Sequence, residues 1–276
     1  MNKIRNFGRQ WLKAHPKVNP YQFTKENNPV CNLFRYITSD LSSLPSFIII
    51  GSMKGGSTSL YSYVKMHPKI SNATIKGSNF FTTNYDKGLK WYRSQFPILK
   101  DDMMCCETSV DYLPSKEAAK RIFETIPNCK FLVIFRNPVD RAYSHYINEF
   151  STKRLDMSFE EALEIEKTGK PITSTADFTF LKRGFYEQHL KEWYKYFPKE
   201  QFYFIKSEDL KTDTVHTMKH VFKFLGLDSY TIPSTKKLHV REYGPMNAKT
   251  REKLSEIFKE PNKKLAHLLG TDIDWQ

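Results

Sequence analysis

The residues best suited to chemistry lie in one stretch, Pro45–Leu60, where a glycine-rich segment follows an apolar run. Phe47–Ile50 is fully apolar and rich in β-branched residues, which is typical of a strand buried on both faces of a sheet. The loop Gly51–Gly56 contains three glycines, so its backbone can reach positive φ angles and approach a ligand closely. The hydroxyl residues Ser57–Ser59 follow as natural helix-start residues.

A strand, a glycine loop and a helix in this order predict a binding site for an anion. The unpaired N–H groups of the loop and of the first helical turn point toward one spot, with the positive end of the helix dipole behind them. Lys54 adds a full positive charge inside the loop. We therefore expect a phosphate or a sulfate group to bind there.

The loop differs from that of a nucleoside triphosphatase. In the pattern G-x-x-x-x-G-K-[ST] a lysine follows the second glycine, whereas here Ser57 follows Gly56 and the lysine is moved back to position 54. A triphosphatase also needs a carboxylate at the end of a second strand to hold Mg²⁺. The best second strand, Phe131–Phe135, runs instead into Arg136, which suits a second anion better than a metal.

Two segments in this order, PSFIIIGSMKGGSTSLYSYVKMHP and FLVIFRNPVDRAYSHY, resemble the two signatures of sulfotransferases that use 3′-phosphoadenosine-5′-phosphosulfate (PAPS). The match is closer to the heparan-sulfate-type branch and its bacterial relatives. It extends through Arg183–Leu210 and on to the segment GTDIDW, and so covers the chain from Pro45 to its C-terminus. The resemblance implies an α/β, P-loop-like fold, PAPS as the sulfonate donor, adenosine 3′,5′-bisphosphate (PAP) as the product, and no metal.

The resemblance also assigns roles to residues. Backbone N–H groups of residues 54 to 59 and the hydroxyls of Ser57–Ser59 would hold the 5′-phosphosulfate, and Lys54 would stabilise charge on the bridging oxygen as the S–O bond breaks. Arg136 and Ser144 would hold the 3′-phosphate, and a basic loop near the C-terminus would fold over the nucleotide. The predicted donor-binding residues are Lys54, Gly55, Gly56, Ser57, Thr58, Ser59, Arg136, Ser144 and Lys237.

The catalytic base is where this sequence departs from the family. The family segment typically reads K-E-x-H-F-F, and its glutamate is the usual candidate for the base, but Gly77 stands at that position here. Glu107, which follows an apolar strand on the ligand side of the sheet, is the predicted replacement, with a helix cap or a lysine partner as its structural alternative. His67 is a weaker candidate, since it fits a helix end better than a site residue.

Phe80, Phe81 and Asp111 are the candidates for an acceptor pocket, although the two aromatic residues fit a core position equally well. We expect transfer to a hydroxyl or nitrogen of a small molecule, either a natural product or a saccharide. The rival function is a nucleotide-binding or sulfated-polymer-binding protein that kept the loop and lost the chemistry. A kinase would need Mg²⁺ and a well-placed aspartate.

Alternating strands and helices predict a mostly parallel central sheet with helices on both faces. Residues 1–44 are predicted to be an N-terminal extension and 45–276 one sulfotransferase domain, in which Lys236–Tyr243 is a loop and Pro261 separates the last two helices. The predicted strands beyond the first are Met103–Cys106, Lys130–Phe135 and Phe202–Ile205. The predicted helices are Thr58–Met66, Asp86–Phe96, Ser115–Ile126, Pro138–Phe150, Ser158–Lys167, Gly184–Tyr196, Val215–Leu225, Ala248–Phe258 and Asn262–Leu269.

The composition bounds the class of protein. With 276 residues and 39% hydrophobic content the chain can bury a large core, and a net charge of +13 favours either a polyanionic partner or simply a basic surface. No nucleic-acid-binding motif is present. Four cysteines without metal spacing fit a reducing compartment. No apolar run is long enough to cross a membrane, so the sequence favours a cytoplasmic protein without a membrane partner, and it leaves the oligomeric state open.

Overall fold

The computed structural model describes residues 29–173, 178–233 and 244–275. Its centre is a five-stranded sheet with the strand order β2-β3-β1-β4-β5, and every neighbouring pair of strands is parallel. The predicted parallel α/β sheet is therefore confirmed, and one edge strand, β2, is added to it. The strands are β1 Phe47–Gly51, β2 Ile70–Asn72, β3 Met104–Thr108, β4 Lys130–Phe135 and β5 Phe202–Lys206.

The strand order places a switch point beside the glycine loop. From β1 the chain first builds β2 and β3 on one side of the sheet, and it then crosses to build β4 and β5 on the other side. Because all strands are parallel, β1 and β4 end at the same edge, and ligands of open α/β sheets bind at such a point. The loop after Gly51 and the segment beginning with Arg136 therefore start side by side.

The central strands are buried on both faces, and alternate side chains enter two separate apolar clusters. Ile48 and Val133 enter one cluster, while Ile49 and Leu132 enter the other. A sheet buried in this way needs helices on both faces, as the run of β-branched residues predicts. The helices are α1 Pro29–Ile37, α2 Ser57–Val64, α3 Gly88–Arg93, α4 Lys116–Thr125, α5 Pro138–Ser151, α6 Phe159–Lys167, α7 Tyr186–Trp193, α8 Ser207–Thr212, α9 Thr214–Leu225 and α10 Ala248–Leu269.

Local signals fixed several helix ends as predicted. The Ser115 side chain caps α4 by accepting from the Ala118 N–H, and Ser158 forms a capping box with Glu161 at the start of α6. Gly226 ends α9 in the left-handed conformation, with a φ of 81°.

One prediction about the helices was wrong. Pro261 does not separate two helices, because α10 continues through it. A proline inside a helix removes one backbone hydrogen bond and costs about 3 kcal/mol. Here Leu254 and Phe258 before the proline and Leu265 after it are buried on one helix face, and this burial against α5 and α7 offsets the loss.

Within the described residues, no helix combines the length and the apolar character that crossing a membrane requires. The predicted loop Lys236–Tyr243, with the candidate donor-binding residue Lys237, lies outside the described residues.

Candidate active site

The glycine loop is packed tightly onto the end of the sheet. Gly55 donates its N–H to the Ser52 carbonyl at 3.0 Å, and the Ser52 hydroxyl donates to the Ile134 carbonyl at 2.9 Å. A Cβ atom on Gly55 would lie 2.7 Å from the Ile134 carbonyl oxygen, which is closer than side chains can approach. Glycine is therefore required at position 55 for the loop to fold down on β4.

The loop ends at the start of helix α2. Gly56 occupies the N-cap position with a φ of 109°, and within residues 29–173, 178–233 and 244–275 no side chain caps the helix, so the first-turn N–H groups can donate to an external acceptor. Ser57 is buried, whereas Thr58 and Ser59 are partly exposed at the rim. This geometry suits the phosphosulfate of PAPS, because a tetrahedral anion can accept several of these donors at once.

The Lys54 side chain connects the glycine loop to α5. Lys54 has a φ of 64°, and its Nζ atom donates to the Asn148 Oδ1 atom at 3.1 Å. The Arg136 Nη1 atom lies 3.5 Å from the Lys54 carbonyl oxygen, so the predicted cation at the end of β4 touches the glycine loop directly. The structure thus brings together the two basic residues that the sequence singles out.

Helix α5 supplies the second wall of the site. Ser144 lies in its second turn and is buried, on the same helix as Asn148. Pro138 begins the helix, and the Asn137 side chain caps it by accepting from the Val139 N–H at 2.9 Å. This start fixes the direction in which α5 leaves Arg136. The Arg136 carbonyl accepts a hydrogen bond from the Tyr186 hydroxyl at 3.0 Å.

Two further α5 residues, Arg141 and His145, are buried beside Ser144, and of these His145 was not predicted. Arg141 is fully buried and donates to the Phe180 carbonyl, and burial lowers the pKa of its guanidinium to about 10. Burial, followed by repulsion from Arg141, lowers the pKa of His145 to about 2, so the imidazole is neutral. The helical spacing of positions 141, 145 and 148 was the available signal, since it puts these residues on one face.

Asp111, a candidate acceptor-pocket residue, is part of an ion pair. Its Oδ1 atom accepts from the Arg183 Nη2 atom at 2.7 Å, and both side chains are partly exposed. Arg183 is positioned by Glu166, a buried carboxylate that accepts three consecutive backbone N–H groups of residues 180 to 182 at 2.7 to 2.9 Å. Asp111 is therefore held in an ion pair with Arg183, and its assignment to an acceptor pocket stays a prediction.

The assignment of Glu107 as the base is corrected by its burial. Its side chain is fully buried, and its two carboxylate oxygens accept from four hydroxyl groups. An acceptor molecule cannot reach a carboxylate enclosed in this way. Burial raises the pKa of Glu107 even though the surrounding hydroxyls oppose this shift. The four donors are Ser78, Tyr92, Ser109 and Tyr112.

The assignment of Phe80 and Phe81 to an acceptor pocket is also wrong. Both rings are buried, Phe80 stacks on Tyr92 with ring centroids 4.4 Å apart, and Phe81 packs edge-on against Tyr112. They belong to the apolar cluster behind β3 rather than to an open surface. The structural alternative weighed for them is therefore the correct one.

His67 is likewise a structural residue. It is 2% exposed, and its ring packs against Phe222 and Tyr230. Its Nδ1 atom accepts from the Lys69 N–H at 3.2 Å, so Nε2 carries the proton and faces the Asp228 carbonyl at 3.3 Å. Both ring nitrogens are engaged in hydrogen bonds at the turn after α2, and the buried ring is not exposed to an acceptor molecule.

The segment that carries Gly77 reaches the glycine loop through a different residue. Gly77 adopts a φ of 75°, and a Cβ atom there would meet nothing closer than the Thr108 carbonyl at 3.8 Å. The preceding residue, Lys76, extends to the helix start and donates from Nζ to the Thr58 hydroxyl at 2.7 Å. Lys76 is thus a third basic side chain at the site, beside Lys54 and Arg136.

Comparison with known proteins agrees with this geometry. The family model of the sulfotransferase domain matches residues 44–266. The chain is 32% identical over 268 residues to the human bifunctional heparan sulfate N-deacetylase/N-sulfotransferase 3, with 83% of this chain and 31% of the relative covered. It is 32% identical over 214 residues to the human heparan sulfate glucosamine 3-O-sulfotransferase 3B1, with 78% and 54% covered.

A solved structure matches as well. The crystal structure of a sulfotransferase from Alicyclobacillus acidocaldarius superimposes with a TM-score of 0.74 at 26% identity, covering 84% of this chain and 98% of that one. The chain spans between about a third and about half of the length of the two curated relatives above. Because the family model covers most of the chain and includes the glycine loop and the Arg136 segment, this protein belongs to the sulfotransferase family.

Proposed function

We propose that this protein transfers the sulfonate group of PAPS to a hydroxyl or nitrogen atom of a small-molecule acceptor. The observation that carries the proposal is the meeting of Lys54 and Arg136 at the glycine loop, which provides cations for two separate anionic groups of one nucleotide. PAPS has two such groups, the 5′-phosphosulfate and the 3′-phosphate. The relatives' names support the reaction class but leave the acceptor atom open, because one is an N-sulfotransferase and another an O-sulfotransferase.

In this proposal each residue has a defined task. The N–H groups at the start of α2 and the hydroxyls of Thr58 and Ser59 bind the phosphosulfate, while Arg136 and Ser144 bind the 3′-phosphate. PAPS supplies the sulfonate: its bond between sulfur and the bridging oxygen breaks as sulfur bonds to the acceptor atom, and PAP leaves. Lys54 meets the negative charge that develops on that oxygen, which is a stabilisation aimed at the transition state.

The acceptor must also lose a proton, and none of the three positions considered for a catalytic base offers an accessible one. This favours a nitrogen acceptor. Gly77 has no side chain, and Glu107 and His67 are both buried and hydrogen-bonded. A neutral amine attacks through its lone pair before it is deprotonated, whereas a hydroxyl benefits from a base during the attack. We therefore place amines, including amino sugars, ahead of alcohols among the candidate acceptors.

The deciding experiment is a screen of acceptors with isotope-labelled PAPS, followed by mass spectrometry of the product. We expect label transfer to at least one amine or amino sugar. The Lys54→Ala variant is the negative control. If the protein binds PAP but transfers to none of a broad set of acceptors, the second candidate function gains support. That function is a nucleotide-binding protein without transfer chemistry, and the absence of a side chain at Gly77 is the observation in its favour.

We also propose a cytoplasmic location. Cys105, Cys106 and Cys129 are free and buried thiols, which fits a reducing compartment. Cell fractionation with an antibody against the native protein tests this proposal, and recovery in a secreted or lumenal fraction would contradict it.

A further inference from the structure

Lys76 and Thr58 come from different parts of the chain and meet at the rim of the glycine loop. Thr58 lies in the first turn of α2, whereas Lys76 belongs to the segment that follows β2 at the edge of the sheet. The Lys76 Nζ atom donates to the Thr58 Oγ1 atom at 2.7 Å. A full positive charge is therefore held beside one of the hydroxyls that line the anion site.

The backbone on either side of Lys76 is hydrogen-bonded to strand β3 or to Ser109, the residue that follows β3. Before Lys76, the Ala73 N–H donates to the Cys106 carbonyl at 3.2 Å. After it, the Asn79 N–H donates to the Ser109 hydroxyl at 3.1 Å. The backbone that carries Lys76 is thus anchored on the sheet rather than free to move with a surface loop.

The electrostatic surroundings of Lys76 favour an anion next to it. Partial desolvation and repulsion from Lys65 lower the pKa of its ammonium group. An anion in the loop reverses this balance, because a negative charge within a few ångströms stabilises the ammonium form.

We propose that Lys76 binds the sulfonate oxygens of PAPS and is the residue that distinguishes the sulfated donor from the product PAP. This inference rests on the proposed function. Lys54 acts on the oxygen that bridges phosphorus and sulfur, whereas Lys76 contacts the group that is transferred. After transfer that group is gone, so Lys76 makes the donor bind more tightly than the product and thereby assists product release.

The test compares PAPS and PAP in the same variants. Lys76→Met keeps the length of the side chain and removes its charge, and Lys65→Met is the matched control because Lys65 lies nearby but has no bond to the loop hydroxyls in the described residues. We expect Lys76→Met to raise the KM for PAPS about 10-fold, the scale of one charged hydrogen bond. Inhibition by PAP should be unchanged, Lys76→Arg should restore most of the affinity for PAPS, and Lys65→Met should resemble the wild type.

Three results would overturn the inference. Equal weakening of PAPS and PAP would mean that Lys76 contacts the 5′-phosphate, and no weakening of either would mean that it does not contact the donor. Loss of PAPS affinity that Lys76→Arg fails to restore, with a lowered melting temperature, would mean a structural role. Failure of the proposed function is distinguishable from these, since the wild-type protein would then transfer no sulfonate from PAPS, whether or not it binds the nucleotides in calorimetry.

Discussion

The Nζ atom of Lys54 lies 3.1 Å from the Oδ1 atom of Asn148 and donates a hydrogen bond to it. The lysine comes from the glycine loop after β1, and the asparagine comes from the third turn of α5. The bond therefore ties the glycine loop, the proposed phosphosulfate site, to the helix that carries Ser144. It also fixes the direction of the ammonium group, toward α5.

This relationship leads to a prediction about turnover. Lys54→Ala should lower kcat by about 10²-fold or more, the scale of one preorganised electrostatic contact, while PAP affinity falls much less. Asn148→Ala should lower kcat by a smaller factor, because the lysine is still present but no longer aimed. Steady-state kinetics at saturating PAPS, with PAP affinity from calorimetry, check both variants. Normal kcat in Lys54→Ala at saturation would reduce Lys54 to a binding residue.

A second prediction concerns nucleotide binding by Arg136. Arg136→Ala should weaken PAP by roughly 1.5–3 kcal/mol, the range for a lost hydrogen bond to a charged group, and adding Ser144→Ala should weaken it further. Calorimetry without Mg²⁺ is the measurement, and PAP at a hundred times its Kd should raise the free energy of unfolding by about 2.7 kcal/mol. Arg251→Ala is the control, because Arg251 pairs with Asp140 on the outer side of α5. Unchanged PAP affinity in Arg136→Ala would place the 3′-phosphate elsewhere.

A third prediction separates backbone strain from a role in the site. Gly77 and Gly88 have nearly the same φ, 75° and 77°, and neither would bring a new Cβ atom into a close contact. Alanine at either position should therefore lower the free energy of unfolding by about 1 kcal/mol or more, because residues with a Cβ rarely adopt a positive φ, and the larger loss is expected at Gly88, whose ψ of 157° lies in a region used almost only by glycine. Only Gly77→Ala should also lower turnover, because Gly77 adjoins Lys76. Equal turnover in the two variants would show that the Gly77 segment does not contribute to the site.

A fourth prediction follows from the raised pKa of Glu107. An acid whose pKa is higher in the folded state stabilises the fold below its unfolded pKa, and this contribution is lost as the pH rises through the folded value. The wild-type protein should therefore lose stability as the pH rises above about 4.5, the ordinary pKa of this group. Glu107→Gln should lose less stability over the same pH range, because glutamine does not titrate. Denaturant titrations at a series of pH values measure this difference.

Glu161 provides a control of opposite sign. The Ser158 hydroxyl and backbone N–H lower the pKa of Glu161, so its contribution is present above its unfolded pKa and is lost as the pH falls through the folded value. Glu161→Gln should therefore reduce stability near neutral pH and leave it unchanged in acid. An unchanged pH slope in Glu107→Gln would mean that the buried carboxylate is not its source.

The sequence by itself determined the parts of this protein that depend on neighbouring residues. A β-branched apolar run, three glycines and a hydroxyl run are enough to specify a buried strand, a loop with positive φ and a helix start. For the same reason the sequence indicates that Lys54 and Arg136 lie close together, since both come shortly after the end of a strand and parallel strands end at one edge of the sheet. The capping residues Ser115 and Ser158 also act within four positions, and both were found.

Only the tertiary structure decided which polar and aromatic residues are covered. Glu107, His67, Phe80 and Phe81 each lie next to a strand or a helix end in the sequence, where they could face a ligand or the core. For Glu107 the answer depends on Ser78 and Tyr92 closing over the carboxylate, and for His67 it depends on Phe222 and Tyr230, and these contacts join residues far apart in the chain. Pro261 ends a helix by its local preference, yet α10 continues because burial on both sides of the proline outweighs one missing hydrogen bond. The contact between Lys76 and Thr58 was also decided by the tertiary structure. No local sequence pattern indicates that the segment after the edge strand β2 brings a side chain to the start of α2.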